Sequence, residues 1–211
     1  PDLADGIWYF HVRLRNSVGW GGVSHFRFQI DTKPPNPFTI KFPDGKETDN
    51  PRPIVLFDTT DSLSGIDYYK IKIGEGDFFK TQQEEIAAHN PYLLSLQGSG
   101  KRTILVQAYD KAGNYSTASE EFTIQALRPP EITEYPRTLQ SGEILTVKGK
   151  TAYPDSEVNV WLQRENGEAR SATVKSDDKG KFIFTADEKL KDGIYKLWAE
   201  VIDERGAKSE Q

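Results

Sequence analysis

Histidine, carboxylate and tryptophan are the residues through which this chain could act on another molecule. His11 and His25 fall on two adjoining strand-like runs and can face one another. Two imidazoles are an incomplete zinc site, which takes three or four ligands, and the sequence marks no third beside them. Polar residues on the wet face of a hairpin account for both, and His89 stands apart. Asp58, Asp61 and Asp67 cluster in and after one loop, with Asp44 and Asp49 in another. Carboxylate oxygens gathered this way can take calcium and stiffen a junction between modules. The Asp-x-Asp-x-Asp-Gly loop is absent, so solvated turn acids are the simpler reading. No cofactor is required, and calcium is the one candidate.

Enzymatic patterns fail one by one. A hydrolase triad needs Ser or Cys beside His beside a carboxylate, and no Gly-x-Ser-x-Gly elbow occurs. Gly98-Ser99-Gly100-Lys101 has the look of a phosphate loop. The Walker pattern then requires Gly where Ser95 stands and Ser or Thr where Arg102 stands, and a strand rather than a helix follows. Asp and Glu total 32, too many for spacing to single out a glycosidase pair, which must face across a cleft. The expectation is a chain that is not an enzyme.

Trp20, Trp161 and Trp198 are the candidate sugar-stacking aromatics. Val158 and Val160 alternate with Trp161, and Leu197 and Ala199 flank Trp198. With the valines inward, both tryptophans point outward and could form a platform for a polysaccharide, or pack beneath a linker or a neighbouring module. Asn114-Tyr115-Ser116 fits a glycosylation sequon, but its place in a turn explains it.

The elements that would hold these residues repeat. The stretches Gly6–Gly19, Gly100–Gly113 and Gly193–Gly206 share one pattern. Their period of about 94 positions is close to one small β-sandwich of roughly 100 residues. Apolar residues alternate at matching offsets: Trp8, Phe10, Val12 and Leu14; Ile104, Val106 and Ala108; Tyr195, Leu197, Ala199 and Val201. Such alternation marks a strand with one wet face, so these sets are expected to point into cores. Asn16, Asp110 or Asp203, with Gly19, Gly113 or Gly206 three residues on, forms the next turn: the Asx side chain accepts backbone N–H groups and Gly takes positive φ. Gln82–His89 is the one helix candidate, about two turns long.

Asp31-Thr32-Lys33-Pro34-Pro35-Asn36-Pro37 and Leu127-Arg128-Pro129-Pro130 each follow a strand-like run. Proline fixes φ and lacks an N–H, so both read as short, semi-rigid linkers. They divide the chain into 1–33, the C-terminal hairpin of a truncated module; 36–127, a whole sandwich; and 131–211, a sandwich lacking its last strand. Bringing the first hairpin to another molecule's open module, as in strand donation, is the sharper alternative.

Composition sets the remaining bounds. Net charge is −5 with both signs interspersed, which argues against a nucleic-acid partner, since phosphate binding needs a concentrated basic face. No run approaches the ~20 apolar residues of a membrane span. Cysteine is absent, which fits a bacterial or archaeal source better than a disulfide-rich secreted domain. Pro1 is not a natural start, so a targeting segment can lie upstream.

Asp5–Arg13 and Tyr109–Ser116 resemble the penultimate strand and following turn of bacterial Ig-like and fibronectin type III-like repeats, and Leu63–Tyr69 resembles the strand entry of the same modules. Val147–Thr151, Asp155–Val160, Asp178–Phe182 and Asp192–Tyr195 are similar to another bacterial Ig-like type. The resemblance implies an all-β chain of tandem antiparallel Ig-like or fibronectin III-like β-sandwiches joined by Pro-rich linkers. It implies a non-catalytic spacer or adhesive segment of a bacterial surface or secreted protein, extracellular or on the cell surface. Its partners would be neighbouring domains of a longer chain and a cell-surface or polysaccharide ligand. A carbohydrate-binding accessory region of a polysaccharide-degrading enzyme is the alternative, and a self-assembling surface-layer subunit a lesser one. The Cys–Trp–Cys signature of antibody domains is missing, so their disulfide is not implied.

Overall fold

A computed structural model describes residues 3–140 and 142–210. Nearly every element is a strand. In chain order they are β1 (Gly6–Arg15), β2 (Trp20–Ile30), β3 (Glu47–Thr48), β4 (Ile54–Val55), β5 (Ile66–Ile73) and β6 (Phe79–Gln82). The helix α1 (Gln83–Ala88) follows, then β7 (Tyr92–Leu93), β8 (Gly100–Asp110), β9 (Tyr115–Ile124), β10 (Glu131–Glu134) and β11 (Thr146–Lys150). The last are β12 (Glu157–Arg164), β13 (Ala169–Lys175), β14 (Lys181–Thr185) and β15 (Tyr195–Ile202). The chain divides into two compact units. The first takes in the described residues of Pro1–Pro43 with Ile54–Leu93 and Arg102–Phe122; the second takes in Asp44–Pro53, Leu94–Lys101 and those of Thr123–Gln211.

In the first unit, β9, β8, β5 and β6 lie side by side in one antiparallel sheet. The facing layer is the β4–β7 pair, extended by a bridge between Lys41 and Leu56. Side chains meet between the layers: Phe57 packs edge-on against Tyr69 with ring centroids 5.3 Å apart, and Phe42 lies 5.1 Å from Phe122. The alternation of β8 explains its place. Ile104, Val106 and Ala108 are fully buried, while Gln107 and Tyr109 between them are partly open. Burying a Val or Ile side chain contributes about 1.5–3 kcal/mol, so Ile104 and Val106, with Ala108 beyond them on the same face, fix the strand's register. The helix α1 lies where the sequence places it, with Ile86 turned into the core.

The β1–β2 hairpin also belongs to this unit, and here one expectation is corrected. The register pairs Phe10 with Phe26 and Trp8 with Phe28, so Trp8, Phe10, Val12, Leu14, Phe26 and Phe28 do share one face. That face is not a core: Phe10 is 57% and Leu14 78% exposed. Alternation decides which face is apolar, but burial needs a second layer, and β1 and β2 form a two-stranded sheet of their own.

The second unit holds two three-stranded antiparallel sheets, β10-β11-β14 and β13-β12-β15. They enclose one core built on Val147, Val158, Val160, Phe182, Phe184, Ala199 and Val201. Residues 207–209 return beside β15 through bridges of Ile202 to Lys208 and Leu127 to Ser209. Three antiparallel strands facing three is the layer arrangement of a fibronectin III-like sandwich, and residues 207–209 add only isolated bridges beside the sixth. In the same unit β3 runs parallel to the end of β9, pairing Glu47 with Thr123 and Thr48 with Ile124. The chain is all-β and its sheets are antiparallel sandwiches apart from such short parallel contacts.

The turns after β8 and β15 share one geometry, with the Asp side chain bonding two and four residues on, and the β1–β2 turn is a tighter variant bonding two and three residues on. Asn16 Oδ1 accepts the N–H groups of Val18 and Gly19; Asp110 Oδ1 accepts those of Ala112 and Asn114; Asp203 Oδ1 accepts those of Arg205 and Ala207. Gly113 and Gly206 adopt φ of +94° and +84°, a region costly for any residue with a Cβ.

Candidate functional site

The densest polar constellation sits in the first unit, where the segment after β2 meets two loops. Asp31, at the end of β2, accepts the Lys33 N–H on Oδ1 and the Ser64 N–H on Oδ2, at 3.1 and 2.9 Å. Asp61 Oδ1 accepts N–H bonds from Leu63, Ser64 and Gly65, all between 2.8 and 2.9 Å. Asn114, in the turn after β8, donates through Nδ2 to the carbonyls of Asp31 and Lys33 and to Asp110 Oδ2. Asn36 donates its N–H to the Thr60 carbonyl, and the Thr59 hydroxyl donates to the Asn36 carbonyl. The Ser116 hydroxyl donates to the Pro35 carbonyl, and Gln29 Nε2 to the Leu63 carbonyl. The Pro34-Pro35 segment is therefore held by loops on both sides. Its proline nitrogens need no partner, and the Pro35 carbonyl finds its own in the Ser116 hydroxyl.

One oxygen each from Asp31, Asp61 and Asp110 lie within 4.8 Å of one another. This is the donor set a hard cation takes. Much of its lone-pair capacity already accepts backbone N–H bonds. Burial works to raise the Asp61 carboxyl, and the N–H groups of Gly65, Leu63, Ser64 and Ser62 outweigh it, holding the group below its ordinary value. Of Asp58, Asp61 and Asp67, only Asp61 belongs to this trio. Asp67 is exposed on β5. Asp58 lies near the Tyr69 phenol, which burial first and the Asp58 charge second push up to about 12. Asp44 is exposed, and Asp49, in the second unit, is gripped by Arg205 at 2.9 and 3.2 Å. The hydrogen bonds from Arg205, partly offset by burial, hold Asp49 below its ordinary value.

The other expected site residues lie elsewhere. His11 and His25 face each other through their Nδ1 atoms, with ring centroids 4.6 Å apart. Among the described residues they belong to no cluster of three metal-ligating side chains. Trp20 lies on the hairpin with the guanidinium of Arg13 4.6 Å and that of Arg15 5.4 Å from its ring centroid. Trp161 and Trp198 are cross-strand partners on the face of the β13-β12-β15 sheet opposite Val160 and Ala199. Their rings are parallel to within 2° at a centroid distance of 6.0 Å, each half-buried, and their indole N–H groups are shielded without a partner. Each therefore spends ring surface on the other. Beside them Asn159 Nδ2 donates to Glu200 Oε1 at 3.0 Å.

The first unit also carries an aromatic ladder that the sequence reading omits. Tyr68, Tyr109 and Tyr115 stack at 4.7 and 5.0 Å across β5, β8 and β9, and the Lys80 ammonium sits 3.7 Å over Tyr68. Its signal was available, since tyrosines at outward positions of neighbouring strands can stack. The second unit has an open cleft of about 800 Å³ lined by leucines such as Leu139, Leu162 and Leu197 together with polar groups such as Arg137, Glu143 and Lys191. No histidine lines it.

No protein-family model matches the chain, and no curated protein matches it. Among solved structures it is similar to a tetra-tandem repeat in the extending region of a large adhesion protein, at 18% identity and a TM-score of 0.40. That match covers 98% of this chain and 55% of the other, so this chain spans about half the length of that relative. It is also similar to the FN1–FN3 domains of chicken CNTN1, at 12% identity over 96% of this chain and 74% of that one, with a TM-score of 0.37. A carbohydrate-binding module of the β-sandwich superfamily matches at 11% identity over 85% of this chain and 99% of that one, with a TM-score of 0.35. The fold class stands on the strand order and the shared cores.

Proposed function

We propose that the chain is a non-catalytic spacer or adhesive segment of a multidomain surface or secreted protein, of bacterial type. The observation that carries this reading is the clasp on residues 31–36. A connection between modules is soft by default. Here Asp31, Thr32, Lys33, Pro35 and Asn36 each make a hydrogen bond with a residue outside the segment, which suits a part whose task is to hold distance. The modules are 1–33, 36–127 and 131–211. The apolar face of the first hairpin occupies, position for position, the place of Val106 on β8 and Ala199 on β15, and it is the inner face of a further sandwich. Single-molecule pulling on the whole chain tests the spacer role. The sandwiches should yield as separate steps with no soft extension before the first. An Asp31→Ala/Asn114→Ala variant should lengthen at lower force. Soft lengthening of the unaltered chain before any step overturns the reading.

Carbohydrate binding is the second reading, favoured by the outward Trp161–Trp198 pair with Asn159 and Glu200 beside it. Titrating soluble glycans while following tryptophan fluorescence tests it. A saturable change lost in Trp198→Ala supports it, and no change contradicts it.

A further inference from the structure

We propose that the outward face of the β1–β2 hairpin is a docking strip for a carboxylated polysaccharide, a linear polyanion with one charge every ring or two. Residues 6–30 contain three arginines and no Asp or Glu, although the whole chain is acidic with a net charge of −5. All three arginines share one face. The register sets Tyr9 opposite Arg27, His11 opposite His25, Arg13 opposite Val23 and Arg15 opposite Trp20. Tyr9 is 58% and Trp20 56% exposed, and Arg13, Arg15 and Arg27 are exposed as well. Among the described residues no carboxylate pairs with any of the three guanidinium groups. In a chain with 32 acidic residues, arginines left without acid partners form a positive strip in a negative setting.

The strip stays outward whatever covers the opposite face. Counting back from the turn, Arg15, Arg13 and His11 occupy the places of Tyr109, Gln107 and Leu105 on β8 and of Ile202, Glu200 and Trp198 on β15. On both of those strands the alternate set forms the core. The proposal is therefore independent of the spacer reading.

Its chemistry selects the partner. A guanidinium fork meets a carboxylate through two parallel N–H bonds. The rings of Tyr9, His11, His25 and Trp20 offer flat apolar surface to the C–H face of a sugar. From Tyr9 to Arg15 the strip runs ~20 Å at about 3.3 Å per residue. Three fixed charges over that length match a sparse polyanion. Duplex nucleic acid, with a charge about every 1.7 Å, would be under-neutralised here and repelled by the acidic remainder.

The test is affinity electrophoresis of the full chain in gels containing polygalacturonate, with dextran as the neutral reference. Polygalacturonate should retard the chain, dextran should not, and added salt should weaken the retardation. Arg13→Gln/Arg15→Gln/Arg27→Gln should bind about tenfold more weakly, the scale expected for losing charge-assisted contacts. The matching triple Lys variant, which keeps the charge without the fork, should fall between. Lys175→Gln/Lys181→Gln, remote from the hairpin, should bind as the unaltered chain does. Retardation that the triple Gln variant preserves, equal retardation by dextran, or no retardation overturns the proposal. Stronger capture by single-stranded DNA or by phosphatidylglycerol vesicles than by polygalacturonate overturns it too.

Discussion

Asn114 reaches from the turn after β8 to the main-chain carbonyls of Asp31 and Lys33, 3.1 and 3.3 Å away. A side chain thereby supplies the donors for two main-chain carbonyls that lie outside the named strands. The same amide donates to Asp110 Oδ2 at 2.8 Å, so the turn that closes β8 also anchors the segment leaving β2.

Asn114→Ala removes three donor contacts and leaves carbonyls to find water. Unfolding in urea should show a loss of about 1–3 kcal/mol. Asn114→Asp, which keeps the size but donates nothing, should lose as much or more. Stability unchanged in both would mean that the clasp is incidental.

Asp61 gives the fold an acid dependence of known sign. Its carboxyl lies below the ordinary 3.8 when folded, so above that pH the group is ionised in both states and its stabilisation is complete. As the pH falls below 3.8, the unfolded chain takes the proton first, and stability declines until the folded carboxyl is protonated as well. Asp61→Asn should be less stable at neutral pH. Its stability should also vary less between about pH 4 and pH 2. Parallel curves for the two proteins would contradict the assignment.

Gly149 on β11 has no room for a side chain: a Cβ there would lie 2.2 Å from Phe182 Cζ and 2.6 Å from the Glu131 carbonyl oxygen. Gly149→Ala should destabilise the second unit by about 1–3 kcal/mol through overpacking. Gly22→Ala, where a Cβ meets nothing within 4 Å, should stay within about 0.5 kcal/mol. Thermal melts of the two variants separate these outcomes.

Ile71 is fully buried, and Ile71→Ala should cost about 2–5 kcal/mol. Phe10 is 57% exposed, and Phe10→Ala should cost this chain little, within about 0.5 kcal/mol. In a chain extended by a complete first module, the same change should cost about 3–5 kcal/mol. Equal small costs in both chains would contradict the hairpin's assignment to a sandwich.

What was legible in the sequence was what local chemistry decides. The Asx side chain and the glycine three residues on fold the turns at Asn16, Asp110 and Asp203 without help from afar, and alternation placed Val106 inward and Trp161 outward. What depends on a distant partner was not legible. Asp31 finds Ser64 and Asn114 only once β2, the 58–65 loop and the β8 turn have come together, and nothing near Asp31 announces those contacts. The stacking of Trp161 on Trp198 needs the β12–β15 register. The exposure of Phe10 depends on the absence of an opposing layer, which a period-two pattern cannot report.

The central claim is that residues 31–36 form a fixed connection, and backbone ¹⁵N relaxation at the Lys33 and Asn36 amides addresses it most directly. The clasp predicts order parameters equal to those of β8, near 0.85 on the usual scale, falling in Asp31→Ala and Asn114→Ala. Values below about 0.6 at both amides of the unaltered chain would show a loose tether and contradict the account.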